Sequence, residues 1–349
     1  MLRGNGAVVV PARDRRQEYG AFTDKLVQLA NLPFLFLCVP QILKNMSFLR
    51  SGDTAAMFVL SWVGCSTAWL GNALLLSYFA SRSEKSAMGV QAIGMVSNAA
   101  VMAQLYAGGV MPGPHMAAVL AVTAVSLVVA LPYFIAQRVP QWLAAVSKAY
   151  NVAVGLAGLY VIPQALMKSL SSVFPSMSIA PPVALPAAVP PEALPGVAGV
   201  LVGLAAVGMR GPKTSRAAAW AGVSGVVATL LFGLQGFAQV LNNFQKPELL
   251  VGVSVAGVLL CITGNMMMLP RAYFTKDAVW ATGATWGALV TGWGQLLSMH
   301  WANIKHGLLV LSPLAFFGLS TVVFGALAAI LAATWATRGV DEQASKLPA

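Results

Sequence analysis

Two asparagines and four tryptophans are the residues of this chain best suited to recognising a solute inside an apolar setting. Asn72 and Asn265 each follow a glycine, in Gly71-Asn72 and Gly264-Asn265. A carboxamide both donates and accepts hydrogen bonds, which is what a hydroxyl-rich neutral solute demands of its site. Trp62, Trp69, Trp286 and Trp293 offer flat faces for an apolar C–H surface to stack on. Within each pair, 62/69 and 286/293, the spacing is seven residues, so an α-helix puts both rings on one face. The expected substrate site is Asn72, Asn265, Trp62, Trp286 and Trp293, with Gln295 a helical step from Trp293 as a supporting donor. The plainer alternative is structural: a mid-helix Asn bonding a neighbouring helix, and a Trp stripe packed against core or lipid.

The chemistry that is missing matters as much. All ten carboxylates (Asp14, Glu18, Asp24, Asp53, Glu84, Glu192, Glu248, Asp277, Asp341 and Glu342) fall in termini, loops or the ends of apolar runs, and His115, His300 and His306 lie near breaks between runs. Ion pumps, proton-coupled carriers and intramembrane aspartyl proteases place an ionisable group in the apolar path despite a cost of about 2.5 to 3.5 kcal/mol or more. The sequence holds no paired carboxylate, no His-x-x-x-His and no phosphate-cradling glycine loop. No catalytic residue, metal or cofactor is expected. What remains suits a neutral solute moving down its gradient.

The elements that position these groups follow from composition. In 349 residues, 58% are hydrophobic and 9% charged, with a mean hydropathy of +0.76, so a bilayer rather than water must receive most of the surface. That excludes a disordered chain, a disulfide scaffold and a nucleic-acid-binding domain, despite a net charge of +11. Cys38, Cys65 and Cys261 sit apart in apolar runs as small fillers. Ten apolar stretches are legible, near 26–45, 54–79, 86–108, 114–136, 142–167, 194–209, 217–241, 249–270, 277–299 and 308–336. The sixth is short, Gly-rich and follows seven prolines. Lys and Arg decide whether it counts, because they accumulate on the non-translocated side. Ten spans put 16 of the 21 on the N-terminal side; deleting the sixth gives 11 to 10, no bias at all. Both termini are expected on the basic side, with Arg271 snorkelling there beyond Pro270. Pro40 and Pro163 remove helix hydrogen bonds and are expected to make bends that swing.

An internal repeat organises the spans. Gln41 and Asn45 recur as Gln239 and Asn243 at an offset of 198, and Gly71-Asn72 recurs as Gly264-Asn265 at 193. Six spans separate the copies, so they share an orientation, as in carriers with parallel repeats. The expected fold is an all-α membrane protein of about ten transmembrane helices. Its parts are a polar N-terminal segment (1–25), a first three-helix repeat (26–108), linking helices (109–216) with a Pro-rich loop (171–196), a second three-helix repeat (217–300), and a C-terminal helix and tail (301–349).

The pairs Pro40-Gln41 and Pro163-Gln164 resemble the signature of PQ-loop and SWEET-type transporters, which adds Gln41, Gln164 and the repeat counterpart Gln239 to Pro40 and Pro163 as hinge or gating residues; the likeness to SWEET three-helix bundles also implies that Asn98, in the third apolar run, is a further amide of the substrate site. The runs Leu32 to Asn45, Trp69 to Phe79 (WLGNALLLSYF), Leu156 to Gln164 and Gly264 to Gln295 (GNMMMLPRAYFTKDAVWATGATWGALVTGWGQ) resemble the plastid maltose exporters of plants and green algae, the maltose excess protein family, over about residues 24 to 300. The resemblance implies a multi-pass carrier of the chloroplast inner envelope that lets maltose from starch breakdown leave the stroma. A PQ-loop carrier for glucose or an amino acid, or a non-transporting membrane helper, stays open beside it. The chain departs from the pattern at Ala238, where a PQ-loop has proline, and from Lys305 onward. Met1 to Asp24 is Arg-rich but holds Asp14, Glu18 and Asp24 and almost no Ser or Thr, unlike a transit peptide. Apart from the bilayer and the sugar, no partner is expected, and the pattern fixes no oligomeric state.

Overall fold

A computed structural model describes residues 12–54, 57, 62–136, 140–173, 193–209, 215–308 and 310–345. Residues 1–11 of the N-terminal segment, 174–192 of the Pro-rich loop and 346–349 of the tail lie outside the described residues, as do 55–56 and 58–61 at the start of the second span. The described chain is helical, without strands. Its order is α1 (Ala12–Leu37), α2 (Val39–Ser51), α3 (Trp62–Ser81), α4 (Lys85–Ala107), α5 (Gly113–Ala136), α6 (Gln141–Val173), α7 (Leu194–Gly208), α8 (Arg216–Gln245), a 3-10 turn (Pro247–Gly252), α9 (Val255–Phe274), α10 (Ala278–Thr285), a π-helical segment (Trp286–Trp293), α11 (Gly294–His306) and α12 (Pro313–Ser345). Seven helical stretches among the described residues are long and apolar enough to cross a membrane.

Local chemistry sets the ends. Ser215, Ser254 and Asp277 accept hydrogen bonds from the backbone N–H of Ala218, Gly257 and Trp280 and so cap α8, α9 and α10. The first expected span is two helices with a joint at Cys38. Pro40 sits in the first turn of α2, where a missing N–H costs nothing, so it starts a helix instead of bending one. Pro163 does lie inside α6. The glycine-rich sixth stretch is the 15-residue α7, whose Gly196, Gly199 and Gly203 lie against Tyr160, Leu159 and Pro163 of α6. Glycines at such spacing let two apolar helices approach closely without a hydrophobic drive from lipid.

The core is built from two similar sets. α4 packs against both α1 and α3; likewise the α10–π–α11 run packs against both α8 and α9. The sets then meet along two seams, α1 on α9 and α3 on α8. The turn joining α3 to α4 and that joining α9 to α10 have one conformation. Ser83 and Lys276 take left-handed φ of 57° and 56°, and the N–H of Glu84 and Asp277 donate to Phe79 O and Ala272 O at 3.1 and 3.0 Å. Each of these residue pairs is separated by 193 positions.

Candidate functional site

Where the seams cross the middle of the bundle, the contacts come in reciprocal pairs. A Cβ on Gly71 would meet the Phe232 ring of α8 at 2.7 Å, and one on Gly264 would meet the Phe34 ring of α1 at 2.7 Å. Phe34 and Phe232 are 198 residues apart; the glycines are 193 apart. Only glycine leaves room for a ring at either place.

One residue further on, the asparagines turn inward and not to lipid. Asn72 is buried and lies on Gly94 of α4; Asn265 is half-buried and lies on Gly287 of the π segment. Each Nδ2 donates to the carbonyl one turn back, Ala68 O and Cys261 O, both at 2.9 Å. Asn98 joins the first of them, since its Nδ2 donates to Gly94 O at 2.8 Å. In the second set Thr291 stands four residues after Gly287 as Asn98 does after Gly94, and its carbonyl accepts Gln295 Nε2 at 2.9 Å. The Cys261 thiol lies 3.7 Å from Gly287 O.

The tryptophans do not gather around these amides. Trp62 packs on the His115 ring at 4.9 Å and Trp69 donates to Thr123 Oγ1 at 2.9 Å, so both turn to α5. Trp286 lies over Gly233 of α8 and is 41% exposed, whereas Trp293 donates to Ser320 Oγ at 2.9 Å and packs on Phe316 and Phe324 of α12. The expectation that the second pair shares a face is corrected here. Seven residues close nearly two α-helical turns, but i→i+5 bonding widens each turn, so the same seven advance roughly one and a half turns. Replacing Trp293 by Phe should cost about 1 kcal/mol through the lost indole bond. A thermal-unfolding midpoint in detergent equal to that of the parent would dismiss this attachment of α12.

The π segment also shifts the repeat by one. At its first turn, Gly94 corresponds to Gly287 at 193. After it, Asn45 Nδ2 donates to Gln104 Oε1 at 3.1 Å while Asn243 Nδ2 donates to Ser298 Oγ at 3.0 Å, and 104 to 298 is 194. A single inserted residue is what a π-bulge accommodates. Gln41 and Gln239 orient these asparagines, donating to Asn45 Oδ1 at 2.8 Å and Asn243 Oδ1 at 2.9 Å. The first network ties α2 to α4, and the second ties α8 to α11.

At the opposite, basic end lies a feature that the sequence reading missed. Tyr78 Oη donates to both carboxylate oxygens of Asp277 at 2.8 Å, and Arg271 holds Glu84 through Nη2–Oε1 at 3.1 Å and Nε–Oε2 at 3.2 Å. Tyr78 and Arg271 are 193 apart, as are Glu84 and Asp277. Each set therefore lends a donor to the other's acid, a two-point clasp across both seams. Arg271 is an ion-pair partner rather than a snorkelling anchor, and its Nη1 also donates to Gly20 O at 3.3 Å. The two acids at one offset were the available signal; the donors differ in type, so matching identities does not find them. No group of three or more metal-ligating side chains occurs among the described residues.

Residues 13–138 match the family described as the maltose excess protein 1 N-terminal domain. A protein of Oryza sativa subsp. japonica named maltose excess protein 1-like, chloroplastic, is 35% identical over 288 residues, covering 81% of this chain and 67% of that protein. One of Arabidopsis thaliana named maltose excess protein 1, chloroplastic, is 33% identical over 291 residues, covering 82% of this chain and 65% of its own length. No solved structure matches the chain.

Proposed function

The chain belongs to the maltose excess protein family, and from that membership we propose that it carries maltose passively across the chloroplast inner envelope by alternating access. The relatives' names, with the words maltose and chloroplastic, support substrate and compartment. The architecture proposed is ten spans, in which α3, α7 and the α10–π–α11 run join the seven apolar stretches. Two parallel three-helix repeats, 26–108 and 217–300, related by an axis along the membrane normal, rock against each other about a central site. The helices between them and the C-terminal helix brace the pair.

The reciprocal contacts carry this reading. Phe34 on Gly264, Phe232 on Gly71, and the crossed pairs Tyr78–Asp277 and Arg271–Glu84 are what a two-fold relation between halves would produce. A joint with two-fold partners can open at one end as it closes at the other. The clasp keeps the basic end shut in the arrangement described. Asn72 and Asn265, with Asn98 beside Gly94, supply the amides for sugar hydroxyls at mid-depth, and Trp286 with its exposed ring is the stacking partner best placed to reach a solute. Trp62, Trp293 and Gln295 position the helices around them. Pro40, at the joint between α1 and α2, and Pro163 within α6 are the proposed hinges, with Gln41, Gln164 and Gln239 beside the moving ends. Both buried-end carboxylates are engaged at the clasp and away from the amide pair, which suits transport without ion coupling.

Purified protein in proteoliposomes, offered labelled glucose, maltose and longer glucans, tests the proposal. Maltose uptake should saturate and be indifferent to an imposed pH gradient. Uptake driven by a pH gradient would remove the uncoupled mechanism, preference for glucose or an amino acid would reassign the substrate, and no uptake of any would leave a non-transporting helper.

A further inference from the structure

The two seams are equivalent within the repeats but not in what covers them. α6 lies in the groove between α3 and α8 and bonds to both. Asn151 Oδ1 accepts from Ser77 Oγ of α3 at 2.6 Å, and Asn151 O accepts from Trp220 Nε1 of α8 at 2.8 Å. The same helical face continues in Gly155 and Gly158. A Cβ on Gly155 would stand 2.6 Å from Trp220, and one on Gly158 would stand 2.6 Å from Val227 of α8 and 2.8 Å from Leu74 of α3. Asn151, Gly155 and Gly158 thus form a wedge whose three steps each contact α8, while Asn151 and Gly158 also contact α3. α7 packs behind it on α6 and α8.

The α1–α9 seam is covered differently. α12 touches both α1 and α9, but its anchors, Trp293 on Ser320 and the His300 ring stacked on Phe316 at 4.3 Å, belong to the second half. A helix anchored on one side of a seam travels with that side. One anchored on both sides ties them together.

We propose that Asn151 and the glycine face of α6 make the α3–α8 seam the fixed axis of the molecule, so that the halves open and close at the α1–α9 seam. This deepens the alternating-access reading and rests on it. Asn151 is a positioning residue: it acts through α3 and α8 and touches no substrate.

Each seam supplies its own probe through the reciprocal contacts. With Cys38, Cys65 and Cys261 replaced by Ala, Gly71→Cys with Phe232→Cys spans α3–α8, and Gly264→Cys with Phe34→Cys spans α1–α9; losing the ring makes room for each new side chain. Oxidation to a disulfide should leave maltose transport within twofold across α3–α8 and reduce it at least tenfold across α1–α9, with recovery on reduction. Equal losses, no loss at either seam, or a loss confined to α3–α8 would overturn the proposal. A transport-free readout separates it from the assigned function. Adding Arg271→Gln should change the rate of disulfide formation several-fold at α1–α9 and leave it unchanged at α3–α8, even in a protein that moves no sugar. Should a cysteine pair fail to fold, backbone hydrogen exchange of the unaltered chain decides. Faster exchange in α1 and α9 than in α3 and α8 is expected, and equal exchange refutes the fixed axis.

Discussion

Asn72→Ala and Asn265→Ala should each lower maltose transport by roughly 30- to 100-fold while the protein stays folded. Losing two hydrogen bonds to sugar hydroxyls costs about 2 to 3 kcal/mol, and each 1.4 kcal/mol is about a factor of ten. The structure adds a control that distinguishes recognition from packing. Each asparagine fills the space over a glycine, Gly94 or Gly287. Asn72→Ala combined with Gly94→Ala therefore returns a methyl group to the space vacated, as does Asn265→Ala with Gly287→Ala. If the amides bind sugar, the doubles regain thermal stability but not transport. Doubles that recover both would assign Asn72 and Asn265 to helix packing, the alternative reading of a mid-helix amide.

The clasp should give the second large effect. Tyr78→Phe deletes the hydroxyl that reaches both oxygens of Asp277, a residue only 7% exposed, and Arg271→Gln deletes the bidentate partner of Glu84. A hydrogen bond to a charged group contributes about 1.5 to 3 kcal/mol, so Arg271→Gln should shift the balance of closed and open states at the basic end by roughly 10- to 100-fold, and Tyr78→Phe by less. A cycle that needs both states then slows by at least tenfold. A maleimide-reactive cysteine placed just inside the clasp should meanwhile label faster from the basic side. Arg271→Gln should give the larger effect, because Arg271 also bonds Gly20 of α1 beside the α1–α9 seam, whereas Tyr78 lies against Gly225 of α8 beside the fixed one. Normal transport with unchanged labelling in both would reduce the clasp to a static brace.

The parts of this protein that were legible in its sequence are those set by periodicity and composition. Apolar runs of bilayer length, with basic residues between them on one side, give helices and their approximate ends because hydrocarbon admits no unpaired backbone. The repeat was visible wherever the residue type is unique in size or hydrogen bonding, as at Gly71-Asn72 and Gly264-Asn265. It was invisible at Tyr78 and Arg271, which do the same job with unlike groups. The joint at Cys38 and the early start of α2 follow from Pro40, yet a kink and a restart are the same pattern until the neighbouring turn is seen.

What the sequence determined by itself, then, was a helical membrane protein with paired amides at matched depth and its charges confined to the ends. Those follow from the solvent and from spacing. Only the tertiary structure decided which surfaces those residues face. A π segment of eight residues sent Trp286 and Trp293 to different neighbours. Two distant acids met a tyrosine and an arginine across the seams. One asparagine of α6 bridged both halves. Rotation about a helix axis and contact between remote turns depend on how whole helices pack, and no local spacing encodes them.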